Sequence, residues 1–91
     1  MSVSSNGHVR TVRLPDGVDL HARPAGKLVR AAAAYDASVT LIAGERRADA
    51  KSILQVLALG ATGGSDVVLE TSGADASEAL DVISGLLASL A

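Results

Sequence analysis

The chain has no cysteine, no tryptophan and no phenylalanine, and its single aromatic side chain of the Phe, Trp and Tyr class is Tyr35. Without cysteine there are no disulfides, no thiol chemistry and no thiolate-ligated metal. Without aromatic platforms, stacking on single-stranded nucleic acid is disfavoured as a mode of action. Lys and Arg are absent from residues 52–91, which carry five acids; all eight basic residues lie in 1–51, beside five acids. An anionic ligand is therefore expected to meet the first half of the chain, although the total positive charge is too small for a duplex-binding surface. No apolar run approaches the ~18 residues of a membrane span. Residues 1–7 are polar and lack the pattern of a secretion signal. These absences predict a soluble, cytoplasmic protein with no nucleic acid and no membrane insertion.

What is present is an ordinary globular balance. Ninety-one residues, 48% hydrophobic and 20% charged, predict a flexible leader over 1–7, with His8 fraying along with it, and a single domain over 8–91. Val9 to Leu14 reads as a first strand, closed by the turn Pro15-Asp16-Gly17. Pro24 suits the first turn of a helix, and Ala25, Leu28, Val29, Ala32 and Ala33 follow helical spacing to an end near Tyr35. Ser38 to Ala43 is a second strand with Val39 and Leu41 on one face. Arg46 to Ala48 completes a hairpin with it. Ser52 suits the N-cap of a short helix, Ile53 to Leu59, that stops at Gly60. In that helix Ile53, Val56 and Leu57 suit the inward stripe, and Leu54 points out. Asp66 to Thr71 alternates around Val67 and Leu69 as a fourth strand. Asp75 with Glu78 has the spacing of a capping box, before a last helix whose buried face is Leu80, Ile83, Leu86, Leu87 and Leu90. The order is βαββαβα. It predicts an α+β fold in which three helices cover one face of a small sheet.

The chemistry gathers at His21, in L-H-A-R-P-A. It lies where the first loop meets a helix N-terminus, whose free N–H groups and dipole favour an anion. Arg23 adds a planar guanidinium suited to phosphate oxygens, and Lys27 extends the positive field. A neutral imidazole nitrogen is a nucleophile able to accept a phosphoryl group. A plain surface histidine at a helix cap would carry the same neighbours. His8 and His21, with no cysteine, make a poor metal site, so neither a metal nor a cofactor is expected.

Two segments together resemble a known family. L-H-A-R-P-A (Leu20 to Ala25) is similar to the active-site motif of the histidine-containing phosphocarriers (HPr) of the phosphoenolpyruvate-dependent sugar phosphotransferase system. K-S-I-L-Q-V-L-A-L-G (Lys51 to Gly60) resembles the stretch around that family's regulatory serine. The likeness covers residues 8–90. It implies an open-faced β-sandwich, with a four-stranded antiparallel sheet covered on one face by three helices. It implies that His21 takes a phosphoryl group on Nδ1 from enzyme I and passes it to an enzyme IIA domain, with Arg23 holding the phosphate oxygens. Such a carrier is a stoichiometric intermediate, often classed with transferases, and a shuttle between partners is expected to be monomeric. The likeness also implies that Ser52 is a substrate for an HPr kinase. It implies that Leu20, Ile53, Leu54 and Leu57 form an apolar docking patch rimmed by Arg23, Lys27, Arg30 and Lys51.

One departure stands out. The family usually has glycine two residues before the active histidine, and this chain has Asp19. Three other readings stay open at this point. One is a carrier for a parallel chain that regulates nitrogen metabolism or feeds a dihydroxyacetone kinase. Another is a regulatory binding module acting through Ser52. The third is an unrelated small α+β domain binding RNA or a metabolite.

Overall fold

A computed structural model describes residues 7–90. The elements follow as β1 (Gly7–Arg13), α1 (Ala22–Ala33), β2 (Ser38–Ala43), β3 (Arg46–Asp49), α2 (Ile53–Leu59), β4 (Asp66–Ser72) and α3 (Ala76–Ala88). The sheet order is β1-β4-β2-β3, and all three pairings are antiparallel. This is the open-faced sandwich expected. Alternation along the strands sends Val39, Leu41, Val67, Leu69 and Thr71 into the core, and the opposite face of the sheet stays open. Against that inner face pack Ala25, Leu28 and Ala32 of α1, Val56 and Leu59 of α2, and Leu80, Ile83 and Leu87 of α3. No helix among the described residues is long and apolar enough to cross a membrane.

Several boundaries move, each for a local reason. The strand expected from Val9 begins at Gly7, so His8 pairs with Thr71 inside β1 instead of fraying beside the leader. The rest of the expected leader lies outside the described residues. At the other end β1 stops at Arg13, and Leu14 is fully buried where the first loop begins. Strands β3 and β4 each run one residue longer than their composition suggested. Helix α1 starts two residues before Pro24, because His21 takes the extended N-cap conformation and Pro24 falls at the third helical position, where an N–H is not needed. Ala33, placed on the inward stripe, is exposed. In α2 the inward pair is Val56 with Leu59; Ile53 and Leu57 turn outward beside Leu54. Two turns of helix have one buried seam, and Leu59, three residues after Val56, completes it.

Asp75 is not the capping-box residue its spacing with Glu78 suggested. It is the N-cap of α3 but makes no side-chain cap bond. Its carboxylate accepts instead from the backbone N–H groups of Asp36 (3.0 Å) and Ala37 (2.8 Å). It thereby ties the α1–β2 connection to the start of α3. The Asp36 hydrogen bond, with those of Ala37 and its own amide and the charge of Lys51, holds the carboxyl below its ordinary 3.8, against the opposing effect of burial.

Leu20, expected at the docking surface, is only 3% exposed and belongs to the core. It is the anchor of the first loop, and its N–H donates to the Ala61 carbonyl at 3.0 Å.

Two stability outcomes follow from these contacts. Leu20→Ala should lower the unfolding free energy by about 2–5 kcal/mol, the usual cost of a large buried truncation; a denaturant midpoint equal to wild type would return Leu20 to the surface. The Asp75 contribution is fully present above the unfolded value of 3.8 and is lost as pH falls through the lower folded value. Melting curves across that acid range should therefore be steeper in pH for wild type than for Asp75→Asn, and identical slopes would remove the assigned role.

Candidate functional site

The site is built where two loops meet under α1. Pro15 to Val18 forms a turn, with the Val18 N–H donating to the Pro15 carbonyl at 3.2 Å. The loop after α2 lies against it. Leu14 and Gly64 bond in one direction (Gly64 N–H to the Leu14 carbonyl, 2.9 Å), and Leu14 and Ser65 in the other (Leu14 N–H to the Ser65 carbonyl, 3.0 Å). The approach is so close that a Cβ on Gly63 would fall 2.5 Å from the Val18 nitrogen and 2.6 Å from the Pro15 oxygen. Only glycine fits there. Sequence reasoning missed Gly63, because its contact is with a loop more than forty residues away and leaves no local signal.

Asp19 faces the site. Its Oδ1 accepts from the Gly63 N–H at 2.7 Å, and its Oδ2 lies 3.5 Å from Nε2 of His21. His21 itself is the N-cap of α1, with φ −84° and ψ −167°. Its backbone N–H donates to the Asp19 carbonyl at 2.8 Å, and its carbonyl accepts from Ala25 at 2.8 Å to close the first helical turn. The imidazole makes no cap hydrogen bond and is 84% exposed. Helix geometry leaves the N–H groups of Ala22 and Arg23 free at this end, while Pro24 has none. A half-held imidazole, two free amides and the Arg23 guanidinium thus share one helix terminus, which suits a phosphoryl group or another compact anion.

The eight basic residues sort into three groups. Arg10, Arg13 and Arg47 pair with Asp81, Asp66 and Glu70, all three acids coming from the second half of the chain. Arg46 donates to the Ala58 carbonyl near the end of α2. Lys51 donates to the Tyr35 carbonyl at 2.7 Å, so this side chain, expected in the basic rim, is engaged beyond the C-terminus of α1. Arg23, Lys27 and Arg30 remain. They have no acidic partner within 4 Å among the described residues. Spaced by four and three residues, they line one face of α1.

Helix α2 lies beside α1. Lys51 at its start reaches Tyr35, past the far end of α1, and Ala61 after its end bonds Leu20, next to His21. The two helices are therefore antiparallel. Ser52 sits near the end of α1 away from His21, and α1 is 12 residues, about 18 Å, long. The Ser52 hydroxyl caps α2 by accepting from the Gln55 N–H at 3.3 Å, and Gly60 ends the helix with φ +69°. Leu54 stands out at 77% exposure, flanked by the partly exposed Ile53 and Leu57. The adjacent helices α1 and α2 thus carry Arg23, Lys27 and Arg30 on one and the exposed Ile53, Leu54 and Leu57 on the other, with His21 at the start of α1, whereas Leu20 is buried and Lys51 is bound to Tyr35. Among the described residues no group of three His, Cys, Asp or Glu side chains is placed to hold a metal ion.

Comparison with known proteins agrees with this geometry. Residues 9–89 match the family model described as the PTS HPr component phosphorylation site. The phosphocarrier protein HPr of Treponema pallidum is 40% identical over 78 residues, spanning 86% of this chain and 89% of that one. The phosphocarrier protein NPr of Shewanella violacea is also 40% identical over 78 residues, 86% of each chain. The crystal structure of an HPr from Bacillus anthracis superposes with a TM-score of 0.84 at 28% identity, covering 89% of this chain and 96% of that one. With the family model spanning nearly the whole chain, this protein belongs to the HPr family of phosphocarriers of the phosphotransferase system.

Proposed function

We propose that His21 is the phosphoryl acceptor, charged by phosphorylated enzyme I and discharged to an enzyme IIA domain during sugar uptake in the cytoplasm. The observation that carries this reading is the placement of a solvent-exposed imidazole at the N-cap of α1, free of any cap hydrogen bond. In the charging step the Nδ1 electron pair forms the new bond to phosphorus. The donor's bond to phosphorus breaks, and its electron pair leaves with the donor. The phosphoryl oxygens then face the Ala22 and Arg23 amides and the Arg23 guanidinium. Discharge is the same step in reverse, with the partner's nitrogen attacking. Both partners must reach one phosphorus atom, so the site has to be shallow, and no wall rises around His21.

Docking falls to the neighbouring surface. Ile53, Leu54 and Leu57 supply apolar contact beside the ridge of Arg23, Lys27 and Arg30, a combination that fits an acidic partner with an apolar centre. Ser52 is the residue an HPr kinase would modify. A phosphate there would sit at the start of α2, against the leucine patch, and would repel that same acidic partner. The 40% identity to an NPr favours a second reading, in which the same residues serve a parallel regulatory chain and only the phosphoryl donor and acceptor proteins differ.

Incubation with enzyme I and labelled phosphoenolpyruvate should leave acid-labile, base-stable label on the protein, and none on His21→Ala. Arg23→Ala should slow charging roughly 10- to 100-fold, the worth of a charge-assisted hydrogen bond, with an unchanged melting curve because the side chain is exposed; a rate equal to wild type would take the phosphate-binding role from Arg23. Leu54→Ser should raise the KM for enzyme I about tenfold, as loss of an interface anchor does, again without loss of stability. An unaltered KM would move the docking surface off α2.

A further inference from the structure

Asp19 is the group the resemblance leaves unexplained, since a carboxylate beside a phosphate site ought to be repulsive. Its two oxygens do different things. Oδ1 is fastened at 2.7 Å to the N–H of Gly63, in a loop whose backbone packs directly against Pro15 to Val18. Oδ2 is left 3.5 Å from Nε2 of His21, just beyond the ordinary N–H···O distance. Which imidazole nitrogen carries the proton is set by the hydrogen bond the other makes.

We propose that Asp19 is a positioning residue for His21: with Oδ1 anchored on Gly63, its Oδ2 takes the Nε2–H of the ring and leaves the Nδ1 electron pair turned outward for phosphorus. This rests on His21 being the acceptor. Nothing leaves His21 as Nδ1 bonds to phosphorus and the donor's bond breaks, so Nε2 keeps its proton and the phosphorylated ring gains positive charge. That charge lies against the Asp19 carboxylate. The two ring nitrogens point to different sides, so the phosphoryl group on Nδ1 lies across the ring from the Asp19 carboxylate. Asp19 thus acts on the ring and not on the phosphate. A protonated ring is also the better leaving group when the next partner attacks, so the same contact supports discharge.

The discriminating variant is Asp19→Asn. The asparagine Oδ1 keeps the Gly63 bond, but its NH₂ now faces Nε2 and favours the opposite tautomer, with the proton on Nδ1. Nitrogen-15 spectra of the unphosphorylated protein read the tautomer directly at a pH where the ring is neutral, with the His21 signals assigned by their loss in His21→Ala. Wild type should show the Nε2–H form in clear excess. Asp19→Asn should shift the population toward Nδ1–H and slow charging by enzyme I roughly tenfold or more, as loss of a ligand-orienting partner does. Asp19→Gly should fall between the two in both measurements, and carries the test if the asparagine variant does not fold. An unmoved tautomer ratio in both variants, or charging that becomes faster once the carboxylate is removed, would overturn the proposal. Absence of label on wild-type His21 is a different failure, since it strikes the acceptor reading while the spectra report on Asp19 by themselves.

Discussion

The close packing of two backbone loops, Leu14 to Leu20 against Ala61 to Ser65, is the constraint on which the rest of this molecule depends. The loops touch at Gly63, where no side chain can be accommodated. They are stitched by hydrogen bonds from Leu14, Leu20 and Gly64 and pinned from below by the buried side chains of Leu14, Leu20 and Ala61. A phosphoryl carrier has opposing needs at its reactive atom. The imidazole must stand clear of the surface for two partners to approach, yet it must not wander, since disorder would have to be frozen out in each transfer. Rigid backing with an open front meets both. Leu20 is core, His21 is exposed, and the boundary between protein interior and reaction site passes between adjacent residues.

Charge is arranged by the same fold. Residues 1–51 hold all the Lys and Arg, and the charged residues of 52–91 are all acids. Folding brings three acids of the second half onto Arg10, Arg13 and Arg47. Two of these pairs involve β4, which lies between β1 and β2; the third links β1 to α3. Such exposed pairs contribute little stability individually. Their effect is subtractive: they neutralise Arg10, Arg13 and Arg47 and leave α1 with the largest group of cations that have no acidic partner among the described residues. The surviving ridge of Arg23, Lys27 and Arg30 begins beside His21, the proposed acceptor, where positive charge of this kind steers an acidic partner.

What the sequence made legible was whatever local spacing decides. Alternation placed Val39, Leu41, Val67 and Leu69 inward, and Ser52 and Gly60 bracketed α2, because a cap and a left-handed terminator act within one turn of the chain. The motif around His21 was visible for the same reason, since its parts lie within three residues. Where reading and structure differ, a partner distant in the chain decides. Leu20 was placed at the surface by the resemblance and is held in the core beside Ala61; Asp75 and the inward face of α2 were read from local spacing, and Asp75 is claimed by the amides of Asp36 and Ala37. An aspartate before a helix satisfies backbone donors whether they belong to its own helix or to another loop, and composition does not separate the two. In α2, a two-turn helix with five Leu, Ile or Val side chains permits more than one apolar face, and only packing against the sheet selects Val56 and Leu59.

Asp19 shows why a departure from a family pattern is better read through its contacts than through its charge. As an isolated change from glycine it adds negative charge near an anion site, and Coulomb's law alone would count it a defect. In place, one oxygen is already committed to Gly63, and the other is aimed at the far nitrogen of the imidazole, across the ring from where phosphorus would bond. A reversible carrier must not bind its phosphoryl group too tightly, because what stabilises the phosphohistidine also retards its discharge. Positive charge from Arg23 and the helix terminus draws the group in. In the proposed role the carboxylate behind the ring acts on the ring alone, keeping Nε2 protonated so that the imidazole leaves readily, and its bond to the Gly63 N–H decides which side of the ring it occupies.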